Sequence, residues 1–208
     1  MQGGIPRTFF VTGIDTDAGK TVVSAILTLG LQAHYWKPVQ AGSPTDTHTV
    51  QALTGLPAER FLPEAYCLEH PMSPHASAAA EGIEIDPNKL LCLPKVEGPL
   101  LIEGAGGLMV PLRGDYLYID WLEQVKIPTL LVIKTYLGCI NHSLLSLDAM
   151  RQRGIPLAGI VFNEGGHPES EEVIKAYAKV AVWGKIPVLP ELNPKTLQAA
   201  FNHYFLIP

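Results

Sequence analysis

The chain has 208 residues, of which 47% are hydrophobic and 17% are charged, and its formal net charge is -5 at pH 7. This length predicts one domain, residues 1–208, and the composition excludes a disordered chain. The acidic balance, without a basic cluster, argues against nucleic acid as the main partner.

Neither a membrane span nor a disulfide framework is expected. No apolar run reaches the ~18 residues that a transmembrane helix needs, and residues 1–7 contain no apolar signal core. The three cysteines, Cys67, Cys92 and Cys139, are odd in number and lack the spacing of a metal site. We therefore expect a protein of a reducing compartment, located in the cytoplasm and without a membrane partner.

Taken in chain order, apolar runs of strand length alternate with helical patterns. Strands are predicted at 8–12, 34–39, 99–102, 128–133, 157–162 and 184–189. Helices are predicted at 22–33, 47–53, 75–81, 87–93, 142–153, 169–182 and in the tail 194–208, while the proline-rich residues 57–75 are expected to be irregular. This alternation predicts an α/β fold: a doubly wound, mostly parallel sheet flanked by helices.

The first predicted strand runs into the stretch Gly13-Ile14-Asp15-Thr16-Asp17-Ala18-Gly19-Lys20-Thr21. Strand, glycine-bounded loop, Gly-Lys-Thr and helix is the layout of a phosphate-binding loop, so the fold should be of the P-loop type. Lys20 then carries charge to the β- and γ-phosphates, and the Thr21 hydroxyl can bind Mg²⁺. Five residues separate Gly13 from Gly19, one more than the usual four, so an incidental turn stays open as an alternative.

Residues that follow other strands should meet this loop, because parallel strands carry ligands at their carboxyl ends. Glu103 is placed to hold Mg²⁺, although it could instead cap a helix or face solvent. Lys37 can neutralise a second anionic group, and Asp46 is either a metal ligand or the N-cap of the helix at 47–53. The turn before Cys139 can bind a carboxylate through backbone N–H groups, and Asn163 suits the edge of a base such as adenine.

Together these segments resemble the dethiobiotin synthetase family. The matching stretches keep the family's order and span nearly the whole chain: 10–21, Lys37-Pro38-Val39, 71–75, Glu103-Gly104-Ala105-Gly106-Gly107, 137–142, Asn163 and 186–189. The additional residue in the phosphate-binding loop is itself a feature of this family, so the misfit in spacing supports the resemblance.

The resemblance implies an ATP-dependent ligase of biotin biosynthesis that works as a homodimer with Mg²⁺. One amine of 7,8-diaminopelargonate takes up CO₂ to form a carbamate. ATP phosphorylates this carbamate to a carbamic-phosphoric anhydride, and the second amine then closes the ureido ring, giving dethiobiotin, ADP and phosphate.

The resemblance also implies roles for individual residues. The catalytic residues are Lys37, Lys20 and Thr16, and Mg²⁺ is held by Thr21, Asp46 and Glu103. The remaining ATP contacts are Asp17, Ala18, Gly19, Lys20, Val22, Gly104, Ala105, Gly106, Asn163, Glu164, Pro187, Val188 and Leu189. Substrate is contacted by Thr16, Lys37 and Ala41, and across the dimer interface by Gly138, Cys139, Ile140 and Asn141.

Two positions depart from the family pattern. The family usually has a Ser or Thr where this chain has Ala41, so either Ser43 or Gln40 compensates or one hydrogen bond is missing. Such a bond is worth on the order of 1 kcal/mol. Glu164 replaces a common Asp, which leaves its contact open.

Three other readings compete with this one. A partitioning-type P-loop ATPase would carry an additional lysine near the start of the loop, where this chain has Gly13-Ile14-Asp15. An amide-forming ligase of the type acting on cobyrinate usually has a further glutamine-amidotransferase domain, for which 208 residues leave no room. A catalytically dead nucleotide-binding protein would be compatible with Ala41.

Overall fold

The structure is a computed structural model that describes residues 5–206; the ends of the predicted domain and of the predicted tail, residues 1–4 and 207–208, lie outside the described residues. Its centre is a sheet of seven strands, numbered in chain order together with the four strands of two small sheets. The seven are β1 (Thr8–Gly13), β2 (His34–Trp36), β4 (Phe61–Leu62), β6 (Leu100–Gly107), β9 (Thr129–Lys134), β10 (Leu157–Asn163) and β11 (Val182–Ile186).

The seven strands lie in the order β11-β10-β9-β1-β6-β2-β4, and every neighbouring pair is parallel. One small sheet pairs β3 (Val39–Ala41) with β5 (Tyr66–Leu68), and the other pairs β7 (Pro111–Arg113) with β8 (Tyr116–Leu117). β1 lies at the centre of the sheet between β6 and β9, so the strand order reverses direction on the two sides of β1. This is the position at which open parallel sheets bind ligands.

Helices cover both faces of the sheet. They are α1 (Lys20–Gly30), α2 (Asp46–Thr54), α3 (Pro74–Ala80), α4 (Pro87–Leu91), α5 (Tyr118–Val125), α6 (Cys139–Gln152), α7 (Pro168–Ala178) and α8 (Pro194–Tyr204). Among residues 5–206, no helix is both long enough and apolar enough to cross a membrane.

Alternate residues of the central strands supply the two halves of the core. Phe9 and Val11 of β1 pack in the cluster that includes α1, α2 and α8, whereas Phe10 packs with Tyr118 and Trp121 of α5. A third cluster joins β9 and β10 to α6 and α7. Strands buried on both faces explain the continuous apolar runs in the sequence, and the predicted α/β, doubly wound parallel fold is confirmed.

Several predicted boundaries are wrong. The strand predicted at 99–102 continues to Gly107, because β6 pairs with β1 as far as Gly13 despite its glycines. The strand predicted at 184–189 is Val182–Ile186, so Pro187 follows it. The helices predicted at 142–153 and 169–182 begin at Cys139 and Pro168, and the second ends at Ala178.

Some elements were not predicted at all. Residues 57–75 contain β4 and β5 within the segment expected to be irregular, and β7, β8 and α5 have no predicted counterpart. α5 begins with Tyr118 and also carries Trp121, both aromatic residues of modest helix propensity. Burial of both rings against Phe10 stabilises this helix through tertiary packing, which a local propensity does not report.

Gly30 provides a test of the packing between α1 and α8. It is the last residue of α1, and a Cβ placed there would overlap the ring of Phe201. Alanine favours helix over glycine by up to ~1 kcal/mol, but forced overpacking costs ~1–3 kcal/mol. We therefore expect Gly30→Ala to lower the free energy of unfolding by about 1 kcal/mol, measured by urea denaturation followed by circular dichroism.

Gly114→Ala is the matched control, since a Cβ at Gly114 would meet nothing within 4 Å. We expect this control to stay within about 0.5 kcal/mol of the parent chain. A Gly30→Ala variant as stable as the parent would contradict the packing argument.

Candidate functional site

The loop between β1 and α1 curls around its own lysine. A 3₁₀ turn, Thr16–Ala18, leads to Gly19, whose φ of 86° lies in the left-handed region that favours glycine. The Lys20 ammonium donates hydrogen bonds to the carbonyl oxygens of Asp15 and Thr16, at 3.1 and 3.0 Å. The loop therefore holds the Lys20 amine at the N-terminus of α1, where anions bind.

Asn163 holds this loop from the neighbouring strand. It ends β10, and its side-chain amide donates to the Ala18 carbonyl oxygen at 3.2 Å. A Cβ on Gly19 would overlap that same amide, so the close approach requires glycine at this position. The amide donor of Asn163 thus braces the loop, while its Oδ1 has no such role.

Lys37 is at the centre of a buried charge cluster. It lies between β2 and β3, and its Nζ is 2.6 Å from Asp46 Oδ2 and 3.2 Å from Glu103 Oε1. It also donates to the Gly104 carbonyl oxygen at 2.9 Å. Lys37 is 3% exposed and Glu103 is fully buried. The Lys37 ammonium compensates the charge of each carboxylate, as the burial of Lys37 and Glu103 requires.

Thr21, in the first turn of α1, links this helix to the carboxylates of Asp46 and Glu103. Its Oγ1 lies 2.9 Å from Asp46 Oδ1 and 3.2 Å from Glu103 Oε1, so its hydroxyl proton is shared between two acceptors. The hydroxyl of Tyr35 donates to the other oxygen of Glu103, Oε2, at 3.1 Å. Residues from α1, α2, β2 and β6 thus meet at the carboxyl edge of the sheet.

These oxygens fit a magnesium ion that is shared with a nucleotide. Among residues 5–206, no group of three or more His, Cys, Asp and Glu side chains could form a closed metal cage. The donor set is instead one hydroxyl and two carboxylates, Thr21, Asp46 and Glu103. Magnesium in nucleotide sites takes one or two carboxylates plus phosphate oxygens and waters, which matches this set.

The cluster shifts the pKa values of its members in opposite directions. Burial alone would lower the pKa of Lys37, but Glu103 and Asp46 outweigh it and hold that pKa above its ordinary value. Burial alone would raise the pKa of Asp46, but the Lys37 ammonium holds it below its ordinary value. Burial lowers the pKa of Lys20 to about 8, although Glu103 opposes the shift. The Lys37 ammonium is therefore a fixed cation at physiological pH.

A cavity of about 590 Å³ opens above this cluster. It brings together ten of the residues predicted for the site: Thr16, Asp17, Lys20, Thr21, Lys37, Ala41, Asp46, Glu103, Ala105 and Gly106. Six further residues line it: Gln40, which was expected only as a possible replacement for a hydroxyl at Ala41, and Pro71, Met72, Ser73, Pro74 and Val110, for which no role was predicted. The stretch at 71–74 had a signal, because it belongs to one of the matching segments of the resemblance.

Gln40 fixes the segment that carries Asp46. Its Oε1 accepts from the Asp46 backbone N–H at 3.0 Å, and its Nε2 donates to the carbonyl oxygens of Ala41 and Gly42, both at 3.2 Å. The predicted N-cap role of Asp46 is wrong, because Thr45 caps the helix and Asp46 is its first residue. Gln40 lines the cavity with its amide engaged inside the loop, whereas Ser43 does not line the cavity.

The other predicted residues lie outside this cavity. Ala18, Gly19, Val22 and Gly104 belong to the surrounding backbone. Asn163 is the last residue of β10, Glu164 follows it, and Pro187, Val188 and Leu189 follow β11. Glu164 Oε2 forms an ion pair with Lys134 Nζ at 2.9 Å. The turn Gly138, Cys139, Ile140 and Asn141 starts α6, with Gly138 as N-cap at a φ of 108° and Cys139 buried.

Comparison with known proteins identifies the family. A family model described as an AAA domain matches residues 7–196. The ATP-dependent dethiobiotin synthetase BioD of Rhodopseudomonas palustris strain BisB18 is 51% identical over 197 residues, 94% of each chain. The protein of the same name from Agrobacterium fabrum is 49% identical over 199 residues, 95% of this chain and 93% of the relative.

Solved structures of similar shape are more distant in sequence. The cell division ATPase MinD of Pyrococcus furiosus has a TM-score of 0.60 at 16% identity, covering 95% of both chains. A ParA family ATPase from Chlorobium tepidum has a TM-score of 0.58 at 12% identity, covering 96% of this chain and 100% of the other.

These ATPases share the P-loop fold with this chain, and at such identities they share the fold alone. The sequence relatives cover nearly the full chain at about half identity, so the predicted family is confirmed. The chain belongs to the family of ATP-dependent dethiobiotin synthetases.

Proposed function

We propose that residues 1–208 form one P-loop carboxylase domain that converts 7,8-diaminopelargonate, CO₂ and ATP into dethiobiotin, ADP and phosphate in the cytoplasm. The observation that supports it best is the Lys37–Asp46–Glu103 cluster beside the phosphate-binding loop, in one cavity with Thr16 and Lys20. The names of the relatives supply the reaction class.

The reaction has three steps under this proposal. One amine nitrogen of the substrate bonds to the carbon of CO₂ and loses a proton, giving a carbamate. A carbamate oxygen bonds to the γ-phosphorus of ATP as the bond to ADP breaks. The second amine then bonds to the carbonyl carbon and loses a proton, while the bond from that carbon to the phosphorylated oxygen breaks and phosphate leaves, closing the ureido ring.

Positioned charge is what such a reaction needs most. Lys37, a permanent cation pointing at the Gly104 carbonyl and two carboxylates, is placed to stabilise the carbamate and the transferring phosphoryl group. Lys20 and the backbone from Asp17 to Val22 hold the phosphates, and Thr16 contacts the substrate. Thr21, Asp46 and Glu103 would hold Mg²⁺, which when bound would neutralise phosphate charge.

The base of the nucleotide would bind where the loops after β10 and β11 adjoin. The Gly165 backbone N–H donates to the Ile186 carbonyl oxygen, which brings Asn163 and Glu164 near the segment Pro187–Leu189. Asn163 Oδ1 is the acceptor left to the base once its amide braces the loop. Val188 is 72% exposed and offers an apolar surface to a flat ring.

A homodimer would complete the substrate site. The turn Gly138–Asn141 lies outside the cavity of its own chain, yet backbone N–H groups at the start of α6 suit the substrate carboxylate. Leu137 and Leu145 next to this turn are 102% and 62% exposed. Apolar side chains on that surface support an interface with a second copy.

The decisive assay supplies 7,8-diaminopelargonate, bicarbonate, ATP and Mg²⁺ and measures phosphate release together with dethiobiotin formation. We expect phosphate release to require the diamine, because no acceptor for the phosphoryl group forms without it. ATP hydrolysis at the same rate with and without the diamine would contradict the proposal and favour an ATPase of the partitioning type.

Lys37→Met tests the assignment of the two lysines. We expect the turnover number to fall by at least ~10²-fold while the Kd for ATP stays within about threefold, because Lys37 acts on charge that develops in the reaction. Lys20→Met should instead weaken ATP binding. Equal losses of binding and turnover in Lys37→Met would place Lys37 in the nucleotide site.

Removing Lys37 also leaves the fully buried Glu103 carboxylate and the partly exposed Asp46 carboxylate without their cation, which can cost ~3–5 kcal/mol of stability. Circular dichroism and thermal unfolding of Lys37→Met therefore accompany the kinetics. Only a variant that retains the parent's spectrum at the assay temperature enters the comparison.

Leu137→Asp tests the dimer and the shared substrate site. A charge on this exposed apolar surface should dissociate the dimer, measured by light scattering, and raise the KM for the diamine at least about tenfold, the factor for ~1.4 kcal/mol. Val173→Asp on α7, which replaces a side chain that is 48% exposed, is the control and should change neither. A fully active monomer would contradict the shared site.

A further inference from the structure

Tyr35 reaches the charge cluster from the interior of the sheet. It lies on β2 opposite Leu101 of β6, and Glu103 follows two residues later on the same face. A diagonal neighbour of this kind is within reach of an aromatic side chain. The Tyr35 ring is fully buried and packs against Phe61, with ring centroids 6.2 Å apart. The sequence gives no signal for a contact between Tyr35 and Glu103, because an aromatic residue within an apolar strand is typical of the core.

The hydrogen bonds of Glu103 divide between its two oxygens. Oε1 accepts from the Thr21 hydroxyl and the Lys37 ammonium, both at 3.2 Å, and so faces the proposed metal site. Oε2 accepts from the Tyr35 hydroxyl at 3.1 Å. The carboxylate plane is thus held from two sides, and one oxygen is committed to the interior of the sheet.

The number of oxygens that a carboxylate offers affects which ion it binds. Mg²⁺ requires near-octahedral geometry at about 2.0–2.1 Å and takes one oxygen from each carboxylate. Ca²⁺ accepts 6–8 oxygens in flexible arrangements and tolerates carboxylates that bind with both oxygens. A carboxylate that can offer only one oxygen to the metal therefore favours Mg²⁺, the smaller ion, over Ca²⁺.

We propose that Tyr35 is a positioning residue that limits Glu103 to one oxygen at the metal site and thereby sets a preference for Mg²⁺ over Ca²⁺. The proposal rests on the metal site of the proposed function. It adds a residue that touches neither nucleotide nor substrate and acts through Glu103.

The test measures metal binding directly. Mn²⁺ binding to the enzyme with ADP is followed by electron paramagnetic resonance, and the bound Mn²⁺ is displaced by Mg²⁺ and, separately, by Ca²⁺. The ratio of the two displacement constants reports the preference. Removing the phenolic hydroxyl in Tyr35→Phe should lower the Mg²⁺-over-Ca²⁺ ratio about fivefold, the factor for one hydrogen bond of ~1 kcal/mol.

Tyr118→Phe is the matched control. Tyr118 is also a buried phenol beside the site, 1% exposed, and within the described part of the chain its hydroxyl makes no hydrogen bond to Glu103. Its removal should leave the ratio within about twofold of the parent. The thermal shifts produced by Mg²⁺ with ADP and by Ca²⁺ with ADP give the same comparison if a variant is too unstable for spectroscopy.

Thr21→Ala separates failure of this inference from failure of the metal site. If Thr21→Ala leaves Mn²⁺ binding unchanged, the proposed metal site is wrong and the role of Tyr35 fails with it. If Thr21→Ala weakens binding but Tyr35→Phe retains the parent ratio, the metal site stands and the inference about Tyr35 is overturned. A lowered ratio in Tyr118→Phe as well would also overturn it, since the effect would not depend on the contact with Glu103.

Discussion

The buried cluster of one ammonium and two carboxylates is the constraint on which the site depends. Glu103 is fully buried and Lys37 nearly so, and each would be costly to bury without the other. The three charged residues come from different parts of the chain: Glu103 lies on β6, Lys37 follows β2, and Asp46 begins α2. Correct assembly of these elements is therefore coupled to charge compensation, and the cavity lined by Lys37, Asp46 and Glu103 lies above this cluster.

The parallel sheet explains how residues far apart in the sequence form one site. Every strand of the large sheet ends at the same edge, so α1, β6 and the segment after β2 deliver their polar residues to one place. Thr21 then makes contact with Asp46 and Glu103 across that edge. Thr16 of the lengthened loop lines the same cavity as Lys37, and Ile14, which is partly buried, packs against the core.

Much of the fold and part of the site could be predicted from the sequence. The continuous apolar runs of β9 and β10 and the Gly-Lys-Thr before α1 are local signals, and local signals gave the fold class and the loop. The aromatic start of α5 and the two-residue β4 were not predictable, since both depend on tertiary packing. The same holds for Gln40 and Tyr35, whose contacts with Asp46 and Glu103 join residues that no pattern in the sequence connects.

The packing of Gly30 against Phe201 also connects the site to the far end of the chain. α1 begins at the lysine of the phosphate-binding loop and, at 1.5 Å per residue, runs about 16 Å before it ends at Gly30. The residues that pack at each terminus constrain the orientation of α1. The contact between Phe201 and Gly30 therefore lets α8 take part in orienting α1 and, through α1, the loop that carries Lys20.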